Sequence, residues 1–453
     1  MNRLLPWLLG LVLLAGCTTA PTPTKTASHE VPATDAGLPG VGPIRRYDWF
    51  TKLWKEKRDL WASRVDQDQG AVVFLGDSIT QGWNDDFRHR FDGMKLANRG
   101  ISGDTTRGVL IRVREDVVAL HPKAVVLLIG TNDLDEHATP EMCAQNMKLI
   151  ITELHRGLPR TPIILCQVFP SSPTKNRPPA AIKKMNSLYL EAVKGDRNVI
   201  YLETWPMFAD PDGNAKPEEM PDLLHPNDLG YAKWAAALHP IFATLGFVDQ
   251  SPDLFVPEPG FTSLFNGRDL TGWCYRPNSP SDIRNAASWR QHDPKAPEWP
   301  VITQTVNFDG RTATPDGRYV AKNGRLIVTT PPDYRKIQKL STQREFPKNF
   351  VLKLEFRATP NTDSGIFVRE PQLQCRDYTV AGPYLLLKKY KPQDWNEIVV
   401  TVTDGKAHCE CNGELLEDAM LVPETGPIGL EGDRGQMEYR RIRIHETPDQ
   451  PRP

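Results

Sequence analysis

Cysteine is scarce in this chain and never falls in a metal-binding register. Seven cysteines are spread over 453 residues, with no Cys-x-x-Cys pair, which excludes a cysteine-built structural zinc site and leaves little for a disulfide framework. Cys409 and Cys411 share one face of a strand too far apart to bond each other, and Cys166, inside an apolar run, reads as a small core residue. An excess of one charge is also lacking: 55 basic residues stand against 56 acidic ones. Without a basic stripe or acidic block, neither nucleic acid nor an electrostatically bound membrane surface is expected as a partner. No cluster suited to a catalytic metal is visible, so no metal and no cofactor are expected. Long apolar runs are missing too; the stretch from Leu4 to Leu14, broken by Pro6 and Gly10, is too short to span a bilayer comfortably. Proline, at 41 residues, is plentiful and points to long loops and linkers. The length exceeds one typical domain, so two domains are expected.

The N-terminus reads as an export signal: Arg3, the apolar stretch, then Leu14-Ala15-Gly16-Cys17. That tetrapeptide resembles the lipobox of bacterial lipoproteins, which implies lipidation of Cys17, its becoming the first residue of the mature chain, and a membrane anchor facing the periplasm or the cell surface. The alternative is an ordinary secretory signal with an incidental cysteine. Residues 18–45 begin Thr18-Thr19-Ala20-Pro21-Thr22-Pro23 and read as a flexible Pro/Thr-rich tether.

From residue 46 to 249 short apolar strands alternate with helical stretches. The strands are Ala71–Leu75, Ala124–Ile129, Pro162–Val168 and Val199–Leu202, and nearly continuous apolar strands separated by helices predict a parallel sheet covered on both faces. Residues 250–259 form a proline-rich linker. From 260 to 447 the period changes to two, as in Phe350–Arg357 and Arg441–Ile444, which predicts antiparallel strands in a β-sandwich.

Ser78 directly follows the first strand, in Gly76-Asp77-Ser78-Ile79-Thr80, and Asp222-Leu223-Leu224-His225 comes near the end of the same domain. A hydroxyl, a base and a group that orients the base are what nucleophilic acyl transfer requires. Ser78 would attack, His225 would take its proton, and Asp222 would fix the tautomer of His225. The backbone N–H groups of Ser78 and Gly103 and the side-chain amide of Asn132 would stabilise the oxyanion. Asp77 and Asp133 read as loop-holding residues rather than acid or base. Trp83 either walls a small acyl pocket or belongs to the core.

Four ordered blocks carry a family likeness: Gly76-Asp77-Ser78, Asn98-Arg99-Gly100-Ile101-Ser102-Gly103-Asp104-Thr105, Gly130-Thr131-Asn132-Asp133 and Asp222-Leu223-Leu224-His225. The segment resembles the SGNH (GDSL-type) hydrolases, and its second and third blocks are most similar to the platelet-activating-factor acetylhydrolase-like branch. The resemblance implies a flavodoxin-like three-layer domain and the same roles for Ser78, Asp222, His225, Gly103 and Asn132. Ile79 stands where the eponymous motif has leucine.

The C-terminal region opens with Phe261-Thr262-Ser263-Leu264-Phe265-Asn266-Gly267-Arg268-Asp269-Leu270-Thr271-Gly272-Trp273 and continues with Ser364-Gly365-Ile366-Phe367-Val368-Arg369 and Gly426–Glu431. It resembles the 3-keto-disaccharide hydrolase domain, which implies a concanavalin A-like jelly roll acting on or binding sugar. Gln372 stands where that family often has glutamate, and glutamine cannot act as a general acid or base. Arg369, Gln372 and Asp377 are candidate sugar-site residues, and Trp273, Trp289, Trp299 and Trp395 either stack on sugar or pack the fold.

These readings lead to an exported, membrane-anchored esterase that removes short acyl groups, acetyl above all, from a glycan held by the sandwich. The alternatives are an acetylhydrolase or lysophospholipase acting on lipid, a glycan-binding surface protein, and a 3-keto-glycoside hydrolase working through the second domain. Oligomeric state and the identity of the glycan are not legible.

Overall fold

The computed structural model describes residues 29–292, 301–329, 338–347, 349–377 and 382–447. Cys17 and the first part of the tether lie outside the described residues, as does Trp299. Among the described residues no helix is long and apolar enough to cross a membrane.

Five parallel strands form the first sheet: β1 (Val72–Gly76), β2 (Leu96–Gly100), β3 (Ala124–Leu128), β4 (Ile163–Cys166) and β5 (Val199–Leu202), in the order β2-β1-β3-β4-β5. The strands alternate their apolar side chains between two helical layers. Val73, Leu75, Val125, Leu127 and Leu165 pack with helices α3 (Thr106–Asp116), α5 (Pro140–Gly157) and α6 (Pro179–Val193). Phe74, Val126, Leu128 and Ile164 face the other way, against Trp83, Trp234 and Phe242, the last two on helix α7 (Asp228–Leu245). Burial on both faces is why these strands read as unbroken apolar runs. The strand order reverses between β1 and its two neighbours, and ligands in such sheets bind outside the carboxyl ends of strands at that point.

Two elements depart from the sequence reading. Strand β2 was hidden because its Leu-Ala-Asn-Arg-Gly carries two polar residues, both buried: Arg99 pairs with Asp68 at 2.7 Å, and Asn98 ties β2 to the turn after β1. Residues 35–45 are not a free tether. Asp35 is paired with Arg46 and with Arg107 on α3, and the amide of Asn146 on α5 brackets Val41, accepting from its N–H at 2.9 Å and donating to its carbonyl at 2.7 Å. Polar groups on two helices thus find their partners in the backbone of this strip. It leads into helix α1 (Asp48–Ser63), which buries Phe50, Trp54 and Trp61.

The second domain is two antiparallel sheets. One runs Glu414–Leu421, Lys406–Cys411, Asn396–Thr403, Phe350–Ala358, Met437–Glu446, Arg325–Val328 and Tyr319–Lys322, with Thr262–Ser263 paired beside Met437–Glu446. The other runs Gln372–Arg376, Asp363–Val368, Ile428–Gly432, Gln338–Thr342, Trp273–Tyr275 and Val306–Asn307. Their facing apolar residues form one core that includes Trp273, Phe356, Ile366 and Tyr439. The C-terminal end of α7 abuts this domain. Lys322 donates to the carbonyl of Thr244 at 2.7 Å and Arg325 to that of Ala243 at 3.2 Å, so two cations meet the negative end of the helix.

Candidate active site

Ser78 opens a four-residue helix, α2 (Ser78–Gln81), immediately beyond β1. Asp77 forms its cap, accepting from the Ile79 N–H at 2.9 Å, and Asn98 of β2 donates to the carbonyl of Thr80 at 3.1 Å. No side chain fits at Gly76 or Gly100: a Cβ at either would come within 2.2 Å of backbone on the adjoining segment. The nucleophile turn is thereby pressed between β2 and β3.

His225 arrives from the loop before α7. Its Nε2 lies 2.9 Å from Ser78 Oγ and its Nδ1 2.7 Å from Asp222 Oδ2. The other oxygen of Asp222 accepts from the N–H groups of Leu224 (3.0 Å) and His225 (2.7 Å), so one carboxylate sets both the loop and the ring. Partial burial raises the affinity of Asp222 for protons, but its bonds to the backbone N–H and ring of His225 outweigh this and hold the carboxyl below its ordinary range. A carboxylate on Nδ1 leaves Nε2 to accept a proton from the serine.

Gly103, at φ +86°, follows β2, and Asn132 lies in helix α4 (Thr131–Asp135) after β3. The Asn132 amide donates to the Asp104 carbonyl at 2.9 Å, which joins the two blocks, while its Oδ1 accepts from Arg177 Nη2 at 3.1 Å. Arg177 also donates to the carbonyl of Thr131 at 3.0 Å. With Oδ1 claimed by a cation, the amide orientation is fixed and its NH2 faces the Gly103 block. The Gly103 loop is held from the nucleophile side as well, since Ser102 N–H donates to Gln81 Oε1 at 2.8 Å.

Three buried carboxylates surround this assembly. Asp133 accepts from Thr106 through its N–H (2.9 Å) and its hydroxyl (2.6 Å); Asp104 pairs with the equally buried Arg112 at 2.8 Å. Burial pushes Asp77 and Asp133 up to about 7 and Asp104 up to about 6. Each is engaged with backbone N–H groups, as expected of residues that hold loops. Trp83 is fully buried against Phe74, Tyr231 and Trp234, so it belongs to the core and walls no acyl pocket. Two aromatic residues that sequence reasoning passed over stand half-exposed here: Trp49 against Gly103, and Tyr47 stacked beside Trp49. Their signal was faint: aromatic residues at a helix start, outside every motif.

In the second domain a cavity of about 930 Å³ and an adjoining one of about 400 Å³ lie between the sheet containing Gln338–Thr342 and helix α8 (Pro280–His292). Lys339 on the sheet meets Asp282 on the helix at 2.9 Å. Arg369 lines the larger space, but it donates to the carbonyls of Phe346 and Pro423 and so serves the fold. Gln372 lines the smaller space and donates to Glu431. Asp377 is wholly buried, accepting from the Asn361 N–H and the Gln393 amide, both at 2.9 Å, and is not among the residues lining these two cavities. Trp273 is core, its indole N–H donating to the carbonyl of Leu264, and Trp395 is covered by Arg357 and Arg440. Among the described residues no group of three or more His, Cys, Asp or Glu could hold a metal ion.

Residues 74–233 match the GDSL-like Lipase/Acylhydrolase family, and residues 260–445 match the 3-keto-alpha-glucoside-1,2-lyase-like domain. The platelet-activating factor acetylhydrolase IB subunit alpha2 of Homo sapiens is 28% identical over 203 residues, covering 44% of this chain and 87% of its own, and the Rattus norvegicus protein is likewise 28% identical over 203 residues, with the same coverage. A GDSL-like lipase from Bacteroides thetaiotaomicron aligns at TM-score 0.36 and 25% identity, over 41% of this chain and 97% of its own. An acetylxylan esterase from Geobacillus stearothermophilus aligns at 0.31 and 19% identity, over 40% and 97%. The chain is an ester hydrolase in which a GDSL-like acylhydrolase domain is joined to a 3-keto-disaccharide hydrolase-like domain.

Proposed function

We propose that the acylhydrolase domain removes acetyl groups from carbohydrate through Ser78, His225 and Asp222. The observation that carries the reading is the continuous chain Ser78 Oγ to His225 Nε2 (2.9 Å) and His225 Nδ1 to Asp222 (2.7 Å), at the strand ends where the sheet order reverses. Ser78 Oγ attacks the ester carbonyl carbon while its proton passes to His225 Nε2. The carbonyl π electrons move to oxygen, and that oxyanion is met by the N–H groups of Ser78 and Gly103 and by the Asn132 amide. On collapse the C–O bond to the alcohol breaks, and His225 returns the proton to the departing sugar oxygen. Water, deprotonated by His225, then cleaves the acetyl-serine to acetate and free Ser78.

The sugar half of the reading is supported by the covalent joining of this domain to a 3-keto-disaccharide hydrolase-like sandwich with polar cavities beneath α8. A module that holds a glycan raises the local concentration of its esters at Ser78. With Gln372 in place of an ionisable acid, the sandwich is proposed to bind sugar rather than cleave it. Anchoring through Cys17 in an extracytoplasmic space would confine this activity to glycans met at the membrane.

A second reading rests on the alpha2 relatives, whose name says that they hydrolyse the acetyl ester of platelet-activating factor. Rates of the purified chain on acetylated oligosaccharides, on an acetylated ether phospholipid and on esters of graded acyl length separate the two. Preference for sugar acetates with a sharp fall beyond short acyl groups is expected. Preference for the phospholipid, or rates rising with chain length, would assign the site to lipid.

A further inference from the structure

Tyr47 and Trp49 are anomalous by burial. Each leaves 52% of its surface exposed, yet both sit at the start of a helix whose other large aromatics, Phe50, Trp54 and Trp61, are buried. Their rings are near-parallel, inclined by 13° with centroids 6.4 Å apart. Both are held in place. Trp49 packs edge-on against Phe50 at 5.7 Å, and the Tyr47 hydroxyl lies 3.3 Å from both carboxylate oxygens of Glu136.

Their position is the informative part. The Trp49 indole lies against Gly103, so that a Cβ there would come within 2.6 Å of Trp49 Cη2. Arg45, two residues before Tyr47, pairs with Asp135 (2.5 Å) and Glu136 (2.6 Å) at the end of α4, the helix that carries Asn132. One strip of chain therefore lies against Gly103 through Trp49, is tied through Arg45 to the end of the helix that carries Asn132, and presents two stacked aromatic faces to solvent.

We infer that Trp49 and Tyr47 form a stacking subsite for a pyranose ring of the acetylated substrate, next to the reacting ester. This rests on the carbohydrate reading of the site above. A pyranose has an apolar C–H face and a rim of hydroxyls. The aromatic ledge has the same character: ring faces half in water, edged by Arg45, Glu136 and the tyrosine hydroxyl. A long acyl chain would call for a trench that excludes water, and two half-exposed rings with an ionic border do not make one.

The test compares kcat/KM on an acetylated xylo-oligosaccharide with kcat/KM on ethyl acetate, which has no ring to stack. In Trp49→Ala the ratio of sugar acetate to ethyl acetate is expected to fall at least about 10-fold, as loss of one stacked ring implies, mainly through KM. Trp49→Phe should recover most of it. The unacetylated oligosaccharide should inhibit ethyl acetate hydrolysis by the parent chain, with a Ki that rises by a similar factor in Trp49→Ala. An unchanged ratio, with both substrates slowed alike, would mean that Trp49 only supports Gly103 and would overturn the subsite. A parent chain that turns over ethyl acetate but no sugar acetate would instead reject the carbohydrate reading and the subsite with it.

Discussion

Gly103 adopts a backbone angle that side chains disfavour, in a place with little room for one. Its φ of +86° lies in the left-handed region, and a Cβ would come within 2.6 Å of Trp49, with Arg45 and Phe50 close by at 3.1 and 3.2 Å. Gly103→Ala is therefore expected to destabilise the fold by about 1–3 kcal/mol. It should also lower kcat at least about 10-fold, because the N–H proposed to meet the oxyanion moves with the loop; thermal unfolding and steady-state kinetics check both. Asp133 makes a second case. A carboxyl raised to about 7 by burial binds its proton more tightly in the folded chain than in the unfolded one. Between the ordinary carboxylate value of about 4 and about 7 the folded state holds more protons, so this group's contribution falls as pH rises and is level above that window. Measured against Asp133→Asn, which has no charge to lose, the parent chain should lose relative stability from pH 4 to 7 and then show no further change. A difference that does not vary with pH would show that Asp133 stays ionised. At this scale Ser78, His225 and Asp222, which the structure brings within hydrogen-bond distance of one another, were legible because acyl transfer demands those residue types near strand ends. Tyr47 and Trp49 were not, since only the placement of Trp49 against Gly103, distant in sequence, and the stacking of Tyr47 on Trp49 give them meaning.

Among the elements, the short helix α4 depends on Arg177, which holds both the Thr131 carbonyl and the Asn132 side chain. Arg177 is a positioning residue. Arg177→Ala should lower kcat about 10-fold, in line with loss of a charge-assisted hydrogen bond, while KM on ethyl acetate changes little. Equal losses in kcat and in thermal stability, with a displaced KM, would assign it a purely structural role. The four apolar strands were readable because both sheet faces are buried, and β2 escaped because its polar side chains serve the nucleophile turn and a buried ion pair. The strip 35–45 escaped for a related reason: its Pro- and Gly-rich sequence has no periodicity, and its order comes from Arg107 and Asn146 on distant helices. The burial of Asp377 was likewise not legible, since its carboxylate partners, the Asn361 N–H and the Gln393 amide, are distant in sequence.

For the whole molecule, the joint between domains is polar and specific. Asp249, just past α7, meets His239 (3.0 Å) from its own domain and Arg357 (3.3 Å) and Arg325 (3.6 Å) from the sandwich. The His239 bond above all, and then the two arginines, hold its carboxyl well below the usual range. A depressed carboxylate contributes stability that is present above the ordinary value of about 4 and is lost as pH falls below it. Calorimetry should accordingly show the two domains unfolding closer together at pH 7 than at pH 3, with Asp249→Ala separated at both. Identical traces for parent and variant at pH 7 would remove Asp249 from the coupling. Such a joint was beyond sequence reading, which marked residues 250–259 only as a linker.

Acetate released from an acetylated xylo-oligosaccharide, followed by proton NMR for the parent chain beside Ser78→Ala, bears most directly on the whole reading. Serine-dependent release, falling by about 10⁴-fold or more in the variant, is expected where one hydroxyl carries the acyl group. Release that survives in Ser78→Ala, or none from the parent while simple acetates are cleaved, would contradict it.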